Sequence, residues 1–209
     1  MSHIQKIPNF KYHPDPLKTK NAEEKNFQCI CCDKEKNITY VAGIYTSLDV
    51  DREELCLDCI YDGSAARKFD ATFTILPYSI EEKIFNEDPE TKEYKYFYQD
   101  IKQNDLEISK EDLEEFHERT PGYISWQEQI WLTHCRNICS FHGDFDPIEL
   151  QQVYQDEENK SYLKESLGCN DQELNEIIFA YNPKKSTQPS FYKFKCLACK
   201  KVLAHTDFT

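Results

Sequence analysis

Cys29-Ile30-Cys31-Cys32 and, after 23 intervening residues, Cys56-Leu57-Asp58-Cys59 form the stretch on which the reading of this chain turns. Two residues between cysteines let one tight turn direct both thiolates to a single ion while backbone N–H groups donate to the sulfurs. Two such turns complete a closed tetrahedral site of the kind zinc prefers. A thioredoxin-like redox pair would sit in a βαβ pattern, which this segment lacks. Cys31 is the spare thiol: a one-residue slip would let it replace Cys29 or Cys32, but CxxC geometry favours Cys29, Cys32, Cys56 and Cys59 as ligands. Between the pairs, residues 38–46 are rich in β-branched and aromatic side chains and broken by Gly43, which predicts one or two strands. Residues 60–69 then open a helix at or near Cys59. Turn, strand region, and a second cysteine pair leading into a helix is the order of a treble-clef finger.

A second set follows. Cys135-Arg-Asn-Ile-Cys139 and Cys196-Leu-Ala-Cys199 are separated by 56 residues. The latter pair lies between residues 190–195 and 201–205, two runs able to form a hairpin as in a zinc ribbon. Ser125-Trp-Gln-Glu128 reads as a capping box opening a helix over residues 126–134, which puts Cys135 at its end and Cys139 in the next turn. The expected ligands are Cys135, Cys139, Cys196 and Cys199, with His134 or His142 as a substitute for one cysteine. That substitution matters, because His ligation with an open position would turn a structural site into one able to activate water.

The chain has 209 residues, ten of them cysteine. Leu, Ile, Val and Phe number 48, so the core is modest and metal would add to it. The net charge of −13 repels phosphate backbones and anionic lipid, which disfavours nucleic acid and membrane as partners. No segment has the length of a membrane span and the first residues lack an apolar h-region, so a cytoplasmic protein with reduced thiols is expected. The acidity is concentrated: residues 79–118 carry a net −9 and residues 144–180 a net −8. Helix-capping signals at Ser79, Ser109, Asp146-Pro147 and Asn170 predict that these blocks are solvated helices, and residues 182–189 form a linker. A dense acidic surface also suits a basic protein partner. No HExxH, Ser-His-Asp, Walker or dinucleotide pattern is present.

Phe10-Lys-Tyr-His-Pro-Asp-Pro-Leu17, Asp62-Gly-Ser-Ala-Ala66 beside Cys59, Arg119-Thr-Pro-Gly-Tyr123, and Phe194-Lys-Cys-Leu-Ala-Cys199, together with the other cysteines, resemble the CbrC family from about residue 10 to the C-terminus. The acidic blocks match it least. The resemblance implies a bacterial cytosolic protein associated with tolerance of a colicin-like toxin, with no enzymatic activity attached. The same residues have plain physical roles: prolines 14 and 16 hold residues 10–17 extended so that Phe10, Tyr12 and Leu17 can pack along a surface. Asp62-Gly63-Ser64 sets a turn beside the metal, and Pro121-Gly122 turns the chain after an acidic helix. A shared site made from His13, Asp15, Asp62 and Arg119 is the functional alternative.

These readings combine into an α+β protein binding two zinc ions. An extended arm spans residues 1–26, a treble-clef-like module 27–75, an acidic helical connector 76–118, and a zinc-ribbon-like module 119–209 with an acidic helical insertion at 144–180. The functional expectation is a metal-stabilised protein-interaction module; a metal-dependent hydrolase with an open second zinc is the alternative.

Overall fold

The computed structural model describes residues 6–77, 80–85, 95–100, 108–185 and 189–207. The N-terminal part is built on an antiparallel pair, β1 (Ala22–Gln28) and β2 (Glu35–Tyr40). The arm expected through residue 26 therefore ends where Ala22 enters a strand. A register shift between Glu24 and Phe27 breaks the period-two alternation by which β1 would have announced itself. Two short helices follow, α1 (Leu57–Tyr61) and α2 (Ser64–Phe69), separated by the expected turn. Gly63 holds φ +73° there, and the Asp62 carboxylate accepts the Ser64 N–H at 2.8 Å.

Residues 80–85 are not the helix that the Ser79 signal predicts. They form β3 (Ile80–Phe85), paired antiparallel with β4 (Lys95–Asp100); Ser79 itself lies outside the described residues. The Tyr-Phe-Tyr run at 96–98 has strong β-propensity, and strand pairing overrides a capping pattern with little apolar helical face behind it. The second connector signal holds: α3 (Lys110–Arg119) begins with the Ser109 hydroxyl accepting the Asp112 N–H at 3.0 Å. It stops just before Pro121.

The helix expected over residues 126–134 is replaced by a bend at Trp126 and Gln127, irregular chain, and a minimal hairpin, β5 (Thr133–His134) with β6 (Asn137–Ile138). Asp207 accounts for the difference. Its buried carboxylate Oδ2 accepts the N–H groups of Trp126 and Gln127 at 2.7 and 3.2 Å, taking over the capping role assigned to Ser125 without starting a helix. Trp131 is buried while Trp126 is 62 % exposed, so the two indoles share no apolar face.

A three-stranded antiparallel sheet, in the order β7 (Ser140–Asp144), β8 (Ser190–Lys195), β9 (Val202–Asp207), forms the centre of the C-terminal part. The β8–β9 hairpin is the one expected; β7 adds an edge. Between β7 and β8 run α4 (Pro147–Val153), α5 (Glu157–Leu167) and α6 (Asp171–Ala180). Asp146 caps α4 with Pro147 in its first turn, and Asn170 and Glu173 close a capping box on α6.

Side-chain alternation across this sheet separates two cores. Tyr192, Phe194, Phe141 and Leu203 join Tyr12, Phe116, Tyr123 and Trp131 on one face, while Phe191 and Ala204 meet Leu150, Leu163, Leu174 and Ile178 of the insertion on the other. A third core fills the N-terminal part around Phe10, Tyr40, Ile60 and Phe73. The arm stitches the parts together. Phe10 packs edge-on against Tyr61, and Tyr12, two residues later, edge-on against Phe116. The Tyr12 carbonyl accepts the Phe141 N–H at 2.7 Å, and the Tyr40 hydroxyl accepts the Gly122 N–H at 3.1 Å.

Candidate metal centres

Cys29, Cys32, Cys56 and Cys59 converge so that their four sulfurs lie within 4.8 Å of one another. The first pair sits in a turn defined by backbone bonds: Cys29 N–H donates to Lys34 O at 3.0 Å, Asp33 N–H donates to Cys29 O at 2.8 Å, and Asp33 takes φ +57°. The same turn recurs at the second pair of pairs. Cys196 N–H donates to Lys201 O at 2.9 Å, Lys200 N–H to Cys196 O at 3.1 Å, and Lys200 takes φ +65°. In each case the left-handed residue directly follows the second cysteine and reverses the chain so that both sulfurs point inward. Cys56 instead precedes α1 as its N-cap residue and Cys59 lies in that helix, with Cys56 N–H donating to Cys29 Sγ at 3.4 Å.

Distances test the fit of a metal directly. A tetrahedral ion with bonds of about 2.3 Å to sulfur holds two thiolates about 3.8 Å apart. The Cys56–Cys59 and Cys29–Cys59 sulfur pairs are 3.5 and 3.9 Å apart. Sulfur contacts from Cys56 and Cys59 hold the Cys29 thiol low, and Cys29 in turn raises both partners, Cys56 to about 12. Such a cluster is one in which protons compete with a cation for the same sulfurs. Lys68 Nζ covers the turn from outside, donating to the carbonyls of Ile30 and Cys31 at 2.7 and 3.0 Å. Cys31, the spare thiol, points instead toward Ser64 Oγ at 3.6 Å.

The second group is His134, Cys135, Cys196 and Cys199. The β5–β6 hairpin turns through Cys135 and Arg136 at φ +50° and +62°, a two-residue loop with both central residues left-handed, and so presents His134 and Cys135 to the knuckle between β8 and β9. His134 Nδ1 lies 3.4 Å from Cys199 Sγ. A tetrahedral ion with bonds of about 2.0–2.1 Å to nitrogen and 2.3 Å to sulfur would set them about 3.6 Å apart. Burial opposes the Cys196 thiolate, but the Cys199 N–H, the contact with His134 and the Ala198 N–H outweigh it and hold this thiol down at about 6. Cys139 is not among the four. It follows the hairpin, is fully buried in the aromatic core, and burial pushes its thiol well up.

Other candidates have local roles. His142 Nε2 bonds Ser140 Oγ at 2.9 Å and stays outside the group. Cys169 is half-buried at the turn between α5 and α6. His13 is fully buried, its Nδ1 2.7 Å from the Pro121 carbonyl and its Nε2 2.6 Å from the Thr19 hydroxyl. A carbonyl only accepts, so Nδ1 carries the proton and Nε2 accepts. Asp15 accepts the Lys18 N–H at 3.1 Å, Asp62 accepts the Ser64 N–H in the turn before α2, and the alkyl chain of Arg119 lies over Gly63. Glu158 was not anticipated from sequence. Its Oε2 lies 3.6 Å from His134 Nε2 and 2.6 Å from Lys201 Nζ, and nothing distinguishes it in a run of carboxylates except this position.

No described helix is long and apolar enough to cross a membrane. Comparison with solved structures finds no match. Among curated proteins, the chain is similar to the UPF0167 protein of Pseudomonas aeruginosa, 29% identical over 97% of this chain and 98% of that protein. It is also similar to the UPF0167 proteins of Mycobacterium bovis and Mycobacterium tuberculosis, each 28% identical over 98% of this chain and 95% of theirs. The family model described as "Uncharacterised protein family (UPF0167)" matches residues 7–208, and the chain, with its two cysteine-rich groups compatible with metal binding, belongs to that family.

Proposed function

We propose that the chain holds two structural zinc ions, one on Cys29, Cys32, Cys56 and Cys59 and one on His134, Cys135, Cys196 and Cys199, and that the ions rigidify a protein-interaction scaffold. The observation that carries this reading is the clustering of two separate four-donor sets, each within 4.8 Å. Soft sulfur donors with at most one imidazole suit zinc, and four protein donors fill a tetrahedral shell without leaving the open position that hydrolysis needs. We read the first set as a treble clef, because a knuckle, a strand and a cysteine pair at a helix start follow one another, and the second as a ribbon extended by β7. The finer family likeness is to CbrC proteins, and with it comes a role in tolerance to a colicin-like toxin inside the cytoplasm. The partner in that role is a basic protein, attracted by the net −8 of residues 144–180.

Elemental analysis of protein purified without chelator tests the metals: two zinc ions per chain are expected, and one or fewer removes the second centre. Cys56→Ser should yield unfolded or insoluble protein, because structural zinc contributes on the order of 10 kcal/mol to small metal-held folds. Binding to a purified basic nuclease toxin, measured at rising salt, tests the partner. No complex at low salt, where attraction is strongest, rejects it.

A further inference from the structure

Resting on the reading of His134, Cys135, Cys196 and Cys199 as a metal centre, we propose that Cys135 and Cys199 form an oxidation site for peroxides, and that their oxidation empties this centre while the first stays loaded. The two centres differ in access. Cys29, Cys56 and Cys59 are buried and Cys32 is half-buried, whereas Cys135 and Cys199 are both exposed, with only Cys196 buried among the three sulfurs of the second group. The exposed sulfurs lie within 4.8 Å of each other. Metal-bound cysteines are thiolates, the form that attacks peroxide, so exposure and not ionisation separates the two centres.

The backbone adds to this. Cys135 and Arg136 both occupy the left-handed region, which costs an L residue about 1–2 kcal/mol, and they do so on a hairpin of only two paired residues per strand. The loop has little strand behind it to hold Cys135 in place once its sulfur is no longer a ligand. The first centre has a different setting, since its knuckle is covered by Lys68 and its second cysteine pair is built into α1.

The chemistry balances with hydrogen peroxide as the two-electron oxidant. The Cys135 thiolate attacks one peroxide oxygen, an S–O bond forms as the O–O bond breaks, and the departing hydroxide takes a proton to become water. The Cys199 thiolate then attacks the Cys135 sulfenic acid sulfur, an S–S bond forms, and the second hydroxide leaves as water after protonation. Two thiolates have lost two electrons, the peroxide has gained them, and His134 and Cys196 remain as the only donors of the set, too few to retain the ion.

The test uses the full zinc-loaded chain with hydrogen peroxide. Released zinc is followed with a colorimetric chelator, and cysteine states are mapped by mass spectrometry. One of two ions should leave at least about tenfold faster than the other, together with a Cys135–Cys199 disulfide, and thiol reductant plus zinc should restore two ions. In Cys199→Ser, dimedone should trap a sulfenic acid at Cys135 and no disulfide should form there. Release of both ions at equal rates, or selective release without the Cys135–Cys199 link, overturns the proposal. A chain carrying one ion before peroxide is added overturns the metal reading as well, whereas two ions with no selective release overturns this proposal alone.

Discussion

His134 Nε2 lies 3.6 Å from the Oε2 of Glu158, so a helix of the acidic insertion stands behind the ring whose other nitrogen faces Cys199 Sγ at 3.4 Å. Lys201, just after the knuckle, reaches both Glu158 and Asp156 at 2.6 and 2.8 Å. Asn159 completes the seam, donating to Val202 O at 3.0 Å and accepting the Ala204 N–H at 2.9 Å. A carboxylate beside the outer nitrogen favours the tautomer with the proton on Nε2 and the lone pair on Nδ1, the arrangement that a ligating histidine needs. Glu158→Gln is therefore expected to weaken metal binding at the second centre by about tenfold and leave the first unchanged. The low end of the usual range applies because 3.6 Å is longer than a direct hydrogen bond. Chelator competition with cobalt-loaded protein, read from the absorption of each centre, checks this.

The ligand set makes a second prediction. Cys139→Ala should keep two zinc ions per chain and cost about 1–2 kcal/mol, the loss of a buried sulfur from the aromatic core. His134→Ala should leave one ion. The opposite pattern in elemental analysis would restore the CxxxC assignment.

Gly122 sits where the arm, the N-terminal part and the aromatic core meet. A Cβ there would fall 2.1 Å from the Phe73 carbonyl oxygen and 2.6 Å from Gln129 Nε2, and the first of these is backbone that cannot swing aside. Gly122→Ala should destabilise the protein by about 3 kcal/mol, the upper end for overpacking. Urea unfolding at fixed zinc concentration measures it.

Acid should act through buried histidines. Burial lowers His13, His117 and His205 to about 4, and burial together with nearby lysines lowers His142 as well. Their unfolded rings bind protons near 6.5, so between pH 6.5 and 4 the unfolded state holds more protons and stability falls as pH falls. For His13, which is fully buried, the displacement from 6.5 to about 4 corresponds to a full loss on the order of 3 kcal/mol, burial being its first cause. His13→Gln retains a donor and an acceptor without titrating. It should lessen the loss of stability between pH 6.5 and 4, followed by melting temperature, by up to the His13 share, on the order of 3 kcal/mol, while the other lowered rings go on titrating. Loss of thiolate ligands in acid is common to both proteins and cancels in the difference.

Spacing alone marked out Cys29, Cys32, Cys56 and Cys59, because a knuckle is a local device whose geometry is contained in four to six consecutive residues. The caps of α3, α4 and α6 were legible for the same reason: each is satisfied within its own first turn. The features that escaped sequence reasoning are those settled by distant partners. Ser125-Trp-Gln-Glu128 carries a helix signal, yet Asp207, some 80 residues away, takes the N–H groups of Trp126 and Gln127 and fixes a bend there in place of a helix. Residues 133–138 then become a hairpin, which turns His134 and Cys135 toward Cys196 and Cys199 and leaves Cys139 in the core. The sequence named both histidine and cysteine as candidates for that position; only the packing of β5 and β6 against the β8–β9 knuckle brought His134 into the group. Glu158 is the extreme case. It is one of 24 carboxylates in two acidic blocks, and its place beside His134 depends on α5 folding back onto β9, a long-range docking that no local pattern encodes.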